Sequence, residues 1–210
     1  MTGIRLFARS RRWNTVILIS AVSAVLIVLC GPLNYALNPR GGYLIAVAAQ
    51  IPVLAAIAIQ ASLASPLPRQ DALSYRSLNP YRLTHVVALT AVAAGAIAIA
   101  AVPLSAVDAG ANTHQGALAL IRNLLALTGA ALIGAALLGP RLGWLLPVSW
   151  LILPFLVLPG PNADPTGLLT LAVQGDDALL PNVFACLVWA IATTVATLNV
   201  SVPLRARNRA

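Results

Sequence analysis

The chain places an arginine and an asparagine side by side inside an otherwise apolar stretch, "LALIRNLLALTG" (118–129). The guanidinium of Arg122 can bind a carboxylate or a phosphate through paired hydrogen bonds, and the amide of Asn123 can both donate and accept. In a lipid bilayer an arginine at mid-depth costs about 2.5–3.5 kcal/mol on insertion scales. We therefore expect Arg122 and Asn123 to form either an anchor near the outer headgroups or part of an outer gate.

Other residue types that carry chemistry are poorly placed for it. The apolar runs contain no aspartate or glutamate, which removes the usual proton or sodium relay. His85 and His114 are predicted at opposite membrane faces, and neither they nor a lysine reach a depth at which they could activate a serine. No glycine-rich loop ends in Lys-Ser or Lys-Thr. We expect no catalytic residue, no metal site and no cofactor bound by this chain.

The composition indicates which solvent surrounds these residues. Hydrophobic residues make up 60% of the 210, charged residues only 9%, and the mean hydropathy is +0.88. Soluble domains carry about 25% charged residues, so the chain is predicted to be an integral membrane protein. All thirteen basic residues are arginines that flank apolar runs, so the net charge of +8 indicates membrane topology rather than nucleic-acid binding.

Six apolar segments approach the roughly 20 residues that a membrane-spanning helix needs. They predict an all-α, polytopic membrane protein in which residues 1–210 form a single transmembrane domain. The predicted spans are 14–36, 42–65, 84–105, 116–139, 142–160 and 180–202. The fifth contains Pro147, Pro154 and Pro159, and is expected to kink or to break near its outer end.

The arginines predict the orientation in a bacterial inner (plasma) membrane. With both termini in the cytoplasm, eleven of the thirteen arginines lie inside, and only Arg40 and Arg122 lie on the outer half. Four of the five aspartates then lie outside. The opposite orientation violates the positive-inside bias at almost every loop.

The segment before the first span, "MTGIRLFARSRRW" (1–13), alternates apolar and basic residues. It predicts a short amphipathic helix on the inner leaflet, in contact with membrane lipids. Its interface residues are Arg5, Phe7, Arg9, Arg11, Arg12 and Trp13. A disordered basic tail that only sets the topology is the alternative.

The loop after the second span, "SPLPRQDALSYRSLNPYRLTH" (65–85), is the longest on the predicted cytoplasmic side. It has room for a short helix, which Asn79-Pro80 is expected to end, and it presents aromatic and basic side chains that suit docking to a soluble partner. The candidate docking residues are Asp71, Tyr75, Arg76, Leu78, Tyr81 and Arg82. A passive connector with its arginines on lipid headgroups is the alternative.

Between the fifth and sixth spans, the segment 162–182 contains "GLLTLAV", which is apolar but too short to span. It predicts a re-entrant or interfacial outer helix, and Pro181 suits the first turn of the sixth span.

Small residues such as Ala130 and Gly134 predict closely packed helices, although a biased alanine usage explains them equally well. Cys30 and Cys186 are expected to be buried, unpaired thiols, with a bridge between spans as the less favoured alternative.

This layout resembles the permease (transmembrane) subunits of export-type ABC transporters with the type-two permease fold. The resemblance concerns the arrangement of an interface helix, six spans, a loop helix after the second span and an outer re-entrant segment. It implies a coupling helix at 70–80, separate ABC ATPase subunits that bind ATP and Mg, and a second permease copy, identical or not. The cargo would be a hydrophobic or amphipathic lipid, peptide or antibiotic. The chain departs from the family in its minimal loops.

Three alternatives remain open at this stage. A substrate-capture subunit of an energy-coupling-factor importer also has six spans, but "NTVILISAVSAVLIVLCG" (14–31) lacks the expected alanine-rich coupling face. A non-transporting peptide-immunity or accessory membrane protein is the second. The third concerns register, because a fourth span at 122–139 would leave Arg122 as a simple headgroup anchor.

Overall fold

The computed structural model describes residues 12–31, 33–36, 44–64, 79–103, 116–157 and 179–199. Within them the chain forms six α-helices and one short antiparallel hairpin. The helices are α1 (Trp13–Cys30), α2 (Pro52–Ser62), α3 (Asn79–Ala101), α4 (Ala117–Leu138), α5 (Leu145–Val157) and α6 (Leu179–Asn199). The hairpin pairs β1 (Asn34–Ala36) with β2 (Leu44–Ala46), and a 3₁₀ helix (Val47–Gln50) leads towards α2.

Four of these helices, α1, α3, α4 and α6, are long and apolar enough to cross a membrane. They indicate a helical membrane protein, as the composition predicts. The other two are shorter, since α2 has 11 residues and α5 has 13. At 1.5 Å per residue these correspond to about 16 and 20 Å, less than the roughly 30 Å of hydrocarbon.

The first two predicted spans are wrong in their extent. Residues 34–36 and 44–46 were expected to be helical, but they form the hairpin. The sequence offers a reason, because Pro32 lacks an N–H and disfavours helix in the residue before it, and Gly41-Gly42 lies between the two strands. The first helix accordingly ends at Cys30, and the second is reduced to α2 and its preceding 3₁₀ turn.

Three further boundaries bear on the predictions. Helix α3 begins at Asn79, so Asn79-Pro80 starts this helix instead of only ending a loop helix. Helix α4 begins at Ala117, which agrees with the 116–139 span and contradicts the register that starts at residue 122. Helix α5 continues through Pro147 and Pro154 as far as Val157. Pro181 lies in the first turn of α6, as predicted.

Contacts between helix ends show how α1, α2, α3 and α4 run relative to one another. Gln60, near the end of α2, contacts Pro140, just after α4, while Ala49, before α2, contacts Asn123 in the first turns of α4. Helices α2 and α4 are therefore parallel. Trp13 at the start of α1 contacts His85 near the start of α3. We call the end of the bundle that holds Trp13 the Trp13 end, and the opposite one the Ala49 end.

Helix α4 is the central element of the bundle. Thirteen of its 22 residues are buried, against four of 18 in α1. A methyl group built on Gly129 would lie 2.8 Å from Cγ1 of Val188 in α6, and one on Gly134 would lie 2.5 Å from the carbonyl oxygen of Gly143. Small residues on α4 thus allow the close approach of α6 and of the turn before α5. At Gly95 in α3 a methyl group would meet nothing within 4 Å among the described residues, so packing between these residues does not explain that glycine.

Candidate functional site: two buried polar clusters

The first cluster joins Arg122 and Asn123 of α4 to the turn before α2, at the Ala49 end. Asn123 is fully buried and Arg122 is 2% exposed. The Nδ2 of Asn123 donates to the carbonyl oxygen of Ala49 at 3.1 Å, and the Nε of Arg122 donates to the Oδ1 of Asn123 at 3.4 Å. The guanidinium thus fixes the orientation of the amide, because the oxygen that accepts from Arg122 leaves the nitrogen to donate to Ala49.

The local backbone explains why Ala49 accepts a side-chain donor. Pro52 begins α2 and has no N–H, so it cannot donate to the carbonyl three residues earlier, which is that of Ala49. A buried carbonyl needs a donor, and Asn123 supplies one. Asn123 thus bonds the 3₁₀ helix that precedes α2. The polar pair therefore stabilises the junction between the 3₁₀ helix and α2 against the central helix.

The burial of Arg122 bears on its predicted role. A side chain that is 2% exposed packs inside the bundle and does not lie along its outer surface. Five residues separate it from the start of α4, a rise of about 8 Å. The described residues place Arg122 among buried groups, and its function as gate or anchor stays a prediction.

The second cluster lies at the Trp13 end, where α1, α2 and α3 meet. The Oγ of Ser62 lies 3.0 Å from the Nε2 of His85, and both residues are 3% exposed. The ring of Trp13 contacts the imidazole edge-on, with 5.5 Å between the ring centroids and 75° between the planes. One imidazole therefore contacts the end of α2 and the start of α1 while it belongs to α3.

His85 lies beside a buried serine, although no histidine was expected from the sequence at a depth at which it could activate one. The direction of the hydrogen bond between Ser62 and His85, however, favours a structural role over a catalytic one. The oxygen of the Ser62 hydroxyl lies 2.7 Å from the carbonyl oxygen of Ile59, and when the hydroxyl donates there its oxygen can only accept from His85. The Nε2 of His85 then carries a proton and cannot act as the base that a serine nucleophile requires.

A third polar contact links α2 to the turn after α4. Gln60, 3% exposed, donates from Nε2 to the carbonyl oxygen of Pro140 at 3.1 Å. Together with Ser62, it gives the last turn of α2 two polar connections, one to the turn after α4 and one to α3. Neither Gln60 nor Ser62 was singled out from the sequence, because a polar side chain near the end of an apolar run does not indicate its partner.

The predicted docking residues are only partly described. Tyr81 is half-buried at the start of α3, and Arg82 is 6% exposed, so Arg82 does not present its side chain to a partner in this arrangement. Asp71, Tyr75, Arg76 and Leu78 lie outside the described residues. A docking role for the loop stays a prediction.

The other predicted site residues are also only partly within the described ranges. Trp13 begins α1 and Arg12 is exposed before it, while Arg5, Phe7, Arg9 and Arg11 lie outside the described residues, as does the outer segment at 162–178. Cys30 and Cys186 are both free thiols, but Cys186 is exposed, not buried as expected. Within the described ranges, no three histidine, cysteine or acidic residues are grouped to hold a metal ion.

Comparison with known protein families, with curated proteins and with solved structures finds no match to this chain.

Proposed function

We propose that this chain is the membrane-spanning permease subunit of an ATP-driven exporter. In this proposal all six helices lie in the membrane, both termini are cytoplasmic, and two permease copies work with separate ATPase subunits that bind ATP and Mg. The cargo is hydrophobic or amphipathic. The proposal takes the layout of the type-two export permeases as its template.

The distribution of arginines supports the orientation. Among the described arginines, Arg12, Arg82 and Arg141 lie at the Trp13 end, and Arg122 lies towards the Ala49 end. Because arginines concentrate on the cytoplasmic side, the Trp13 end is assigned to the cytoplasm. The connection 65–78 joins α2 to α3 at this end and adds Arg69 and Arg76.

The observation that carries the proposal is the way in which the connection 65–78 is fixed at both ends. Ser62 precedes it, His85 follows it, and their side chains lie 3.0 Å apart within the bundle. A soluble subunit that pushed on this connection would therefore act on a segment whose two flanking helices are joined by this contact. Such a loop can pass a displacement to α1, α2 and α3, whereas a loop with free ends would absorb it.

The chemistry of the interior supports the cargo class. All five aspartates lie outside the described helices, and the chain has no glutamate. The described helices therefore offer no carboxylate that could hold a small cation during transport. The buried side chains of the bundle are mostly aliphatic, which suits a hydrophobic or amphipathic molecule.

The test is purification of the tagged full-length chain from its native membrane in a mild detergent. The proposal expects an ATPase subunit to copurify and to hydrolyse ATP, and Tyr75→Ala with Arg76→Ala to weaken this association. If no ATPase associates, the proposal fails. A tightly bound vitamin would then favour the importer subunit, and protection of cells from a membrane-active peptide would favour the immunity protein.

A further inference from the structure

We propose that Ser62, His85 and Trp13 form a coupling clamp, a contact that transmits movement of the connection 65–78 to α1, α2 and α3. This inference rests on the proposed function and assigns His85 as its positioning residue. The three side chains belong to three helices and meet at one imidazole. A displacement of the loop that shifted His85 would therefore also act on the end of α2 and the start of α1.

Burial makes the clamp stiff. Ser62 and His85 are each 3% exposed, so water does not compete well for their hydrogen bond. The bundle around them is packed, because Val86 next to His85 and Ile59 one turn before Ser62 are fully buried. A polar contact in such surroundings keeps its geometry while the helices move as units.

The donor and acceptor roles define which substitutions should break the clamp. With the Ser62 hydroxyl donating to the carbonyl of Ile59, His85 donates from Nε2 and Ser62 accepts. Ser62→Ala removes the acceptor, and His85→Phe removes the donor but retains an aromatic ring against Trp13. His85→Gln keeps an N–H donor at about the same reach and should preserve the clamp.

The experiment measures whether ATP moves the helices at the opposite, Ala49 end. Spin labels are placed on Val102→Cys, just after α3, and on Val183→Cys in α6, both exposed, in a background in which Cys30 and Cys186 are replaced by serine. The full chain is reconstituted with its copurified ATPase in phosphatidylcholine–phosphatidylglycerol nanodiscs. The distance between the labels is measured with and without ATP and vanadate, alongside ATP hydrolysis and thermal unfolding.

The clamp predicts that ATP changes the distance between the labels in the otherwise unsubstituted chain and in His85→Gln. In Ser62→Ala and His85→Phe, ATP hydrolysis should persist while the distance change is lost. Thr194→Ala is the matched control, because it removes an exposed hydroxyl of α6 that bonds only within its helix, to Ala190. This control should behave as the unsubstituted chain does.

Several results would overturn the clamp while leaving the proposed function intact. One is an unchanged distance response in Ser62→Ala and His85→Phe, whether or not their thermal stability falls. Another is an ATPase that binds and hydrolyses ATP without any distance change in the unsubstituted chain. If no ATPase binds that chain at all, both proposals fall together.

Discussion

The side-chain amide of Gln60 donates to the carbonyl of Pro140 across 80 residues of sequence, at 3.1 Å. This contact joins the last turn of α2 to the turn between α4 and α5. Gly139, immediately before Pro140, has φ of +89°, a conformation that other residues rarely adopt. The glycine therefore shapes the turn that presents the accepting carbonyl, and Gln60 fixes α2 against it.

Replacing Gln60 by leucine should lower the free energy of unfolding by about 0.5–1.5 kcal/mol, the usual net contribution of a hydrogen bond, because Pro140 is exposed and its carbonyl can find another donor. The similar size of leucine limits any effect of a cavity. Chemical unfolding in detergent micelles measures the change, with Thr194→Ala as the control. A stability equal to that of the unsubstituted chain would show that the contact with Pro140 contributes little.

Asn123→Leu should loosen the start of α2 selectively. The substitution removes the donor to the carbonyl of Ala49, which Pro52 cannot replace because it has no N–H. Hydrogen–deuterium exchange in nanodiscs should therefore become faster over 47–54 and stay unchanged over α6. Uniformly faster exchange would indicate a general loss of stability, and unchanged exchange would remove Asn123 from the support of this junction.

Two glycine-to-alanine substitutions should differ in their effect on the free energy of unfolding. Gly134→Ala places a methyl group 2.5 Å from the backbone carbonyl oxygen of Gly143, which cannot move without separating α4 from the turn before α5. Gly134→Ala should lower the free energy of unfolding by about 1–3 kcal/mol, as overpacking of a core does. Gly95→Ala meets nothing within 4 Å and should be neutral or stabilising by up to about 1 kcal/mol, because alanine favours helix.

Unfolding of both variants under one set of detergent conditions compares them directly. Equal destabilisation would contradict the difference in packing between α3 and α4. A loss of stability in Gly95→Ala that depends on protein concentration would instead point to a contact outside a single chain.

The sequence predicts the parts of this fold that depend on local composition. The length of the apolar runs predicts the membrane class and most of the extent of α4. The preference of proline for the first turn of a helix predicts the position of Pro181 in α6. The hairpin at 34–46 was missed because its apolar residues continue the hydrophobic runs on either side. Length and hydropathy cannot distinguish a strand from a helix there.

The buried clusters could not be predicted for a different reason. Ser62 and His85 are 23 residues apart, and Asn123 and Ala49 are 74 apart. Such pairings depend on how the helices pack, which a single sequence does not encode as a local pattern. Of these four residues the sequence singled out Asn123 alone as a polar residue in an apolar run, and the packed bundle identified the pairings.

Arg122→Ala should insert into the membrane as well as the unsubstituted chain does, because it removes a charge that costs about 2.5–3.5 kcal/mol at mid-bilayer on insertion scales. Its folded state should nevertheless be less stable, since Asn123 loses the N–H that orients its amide towards Ala49. Arg122→Lys keeps the charge but lacks the planar guanidinium, and should restore only part of the stability.

Arg141→Ala is the matched control, because Arg141 is exposed in the turn after α4. Glycosylation-site or cysteine-accessibility mapping measures insertion, and thermal unfolding measures stability. If Arg122→Ala is as stable as the control, the buried guanidinium does not hold the Ala49 junction. If it is unstable yet transports normally once folded, the guanidinium supports structure and takes no part in an outer gate.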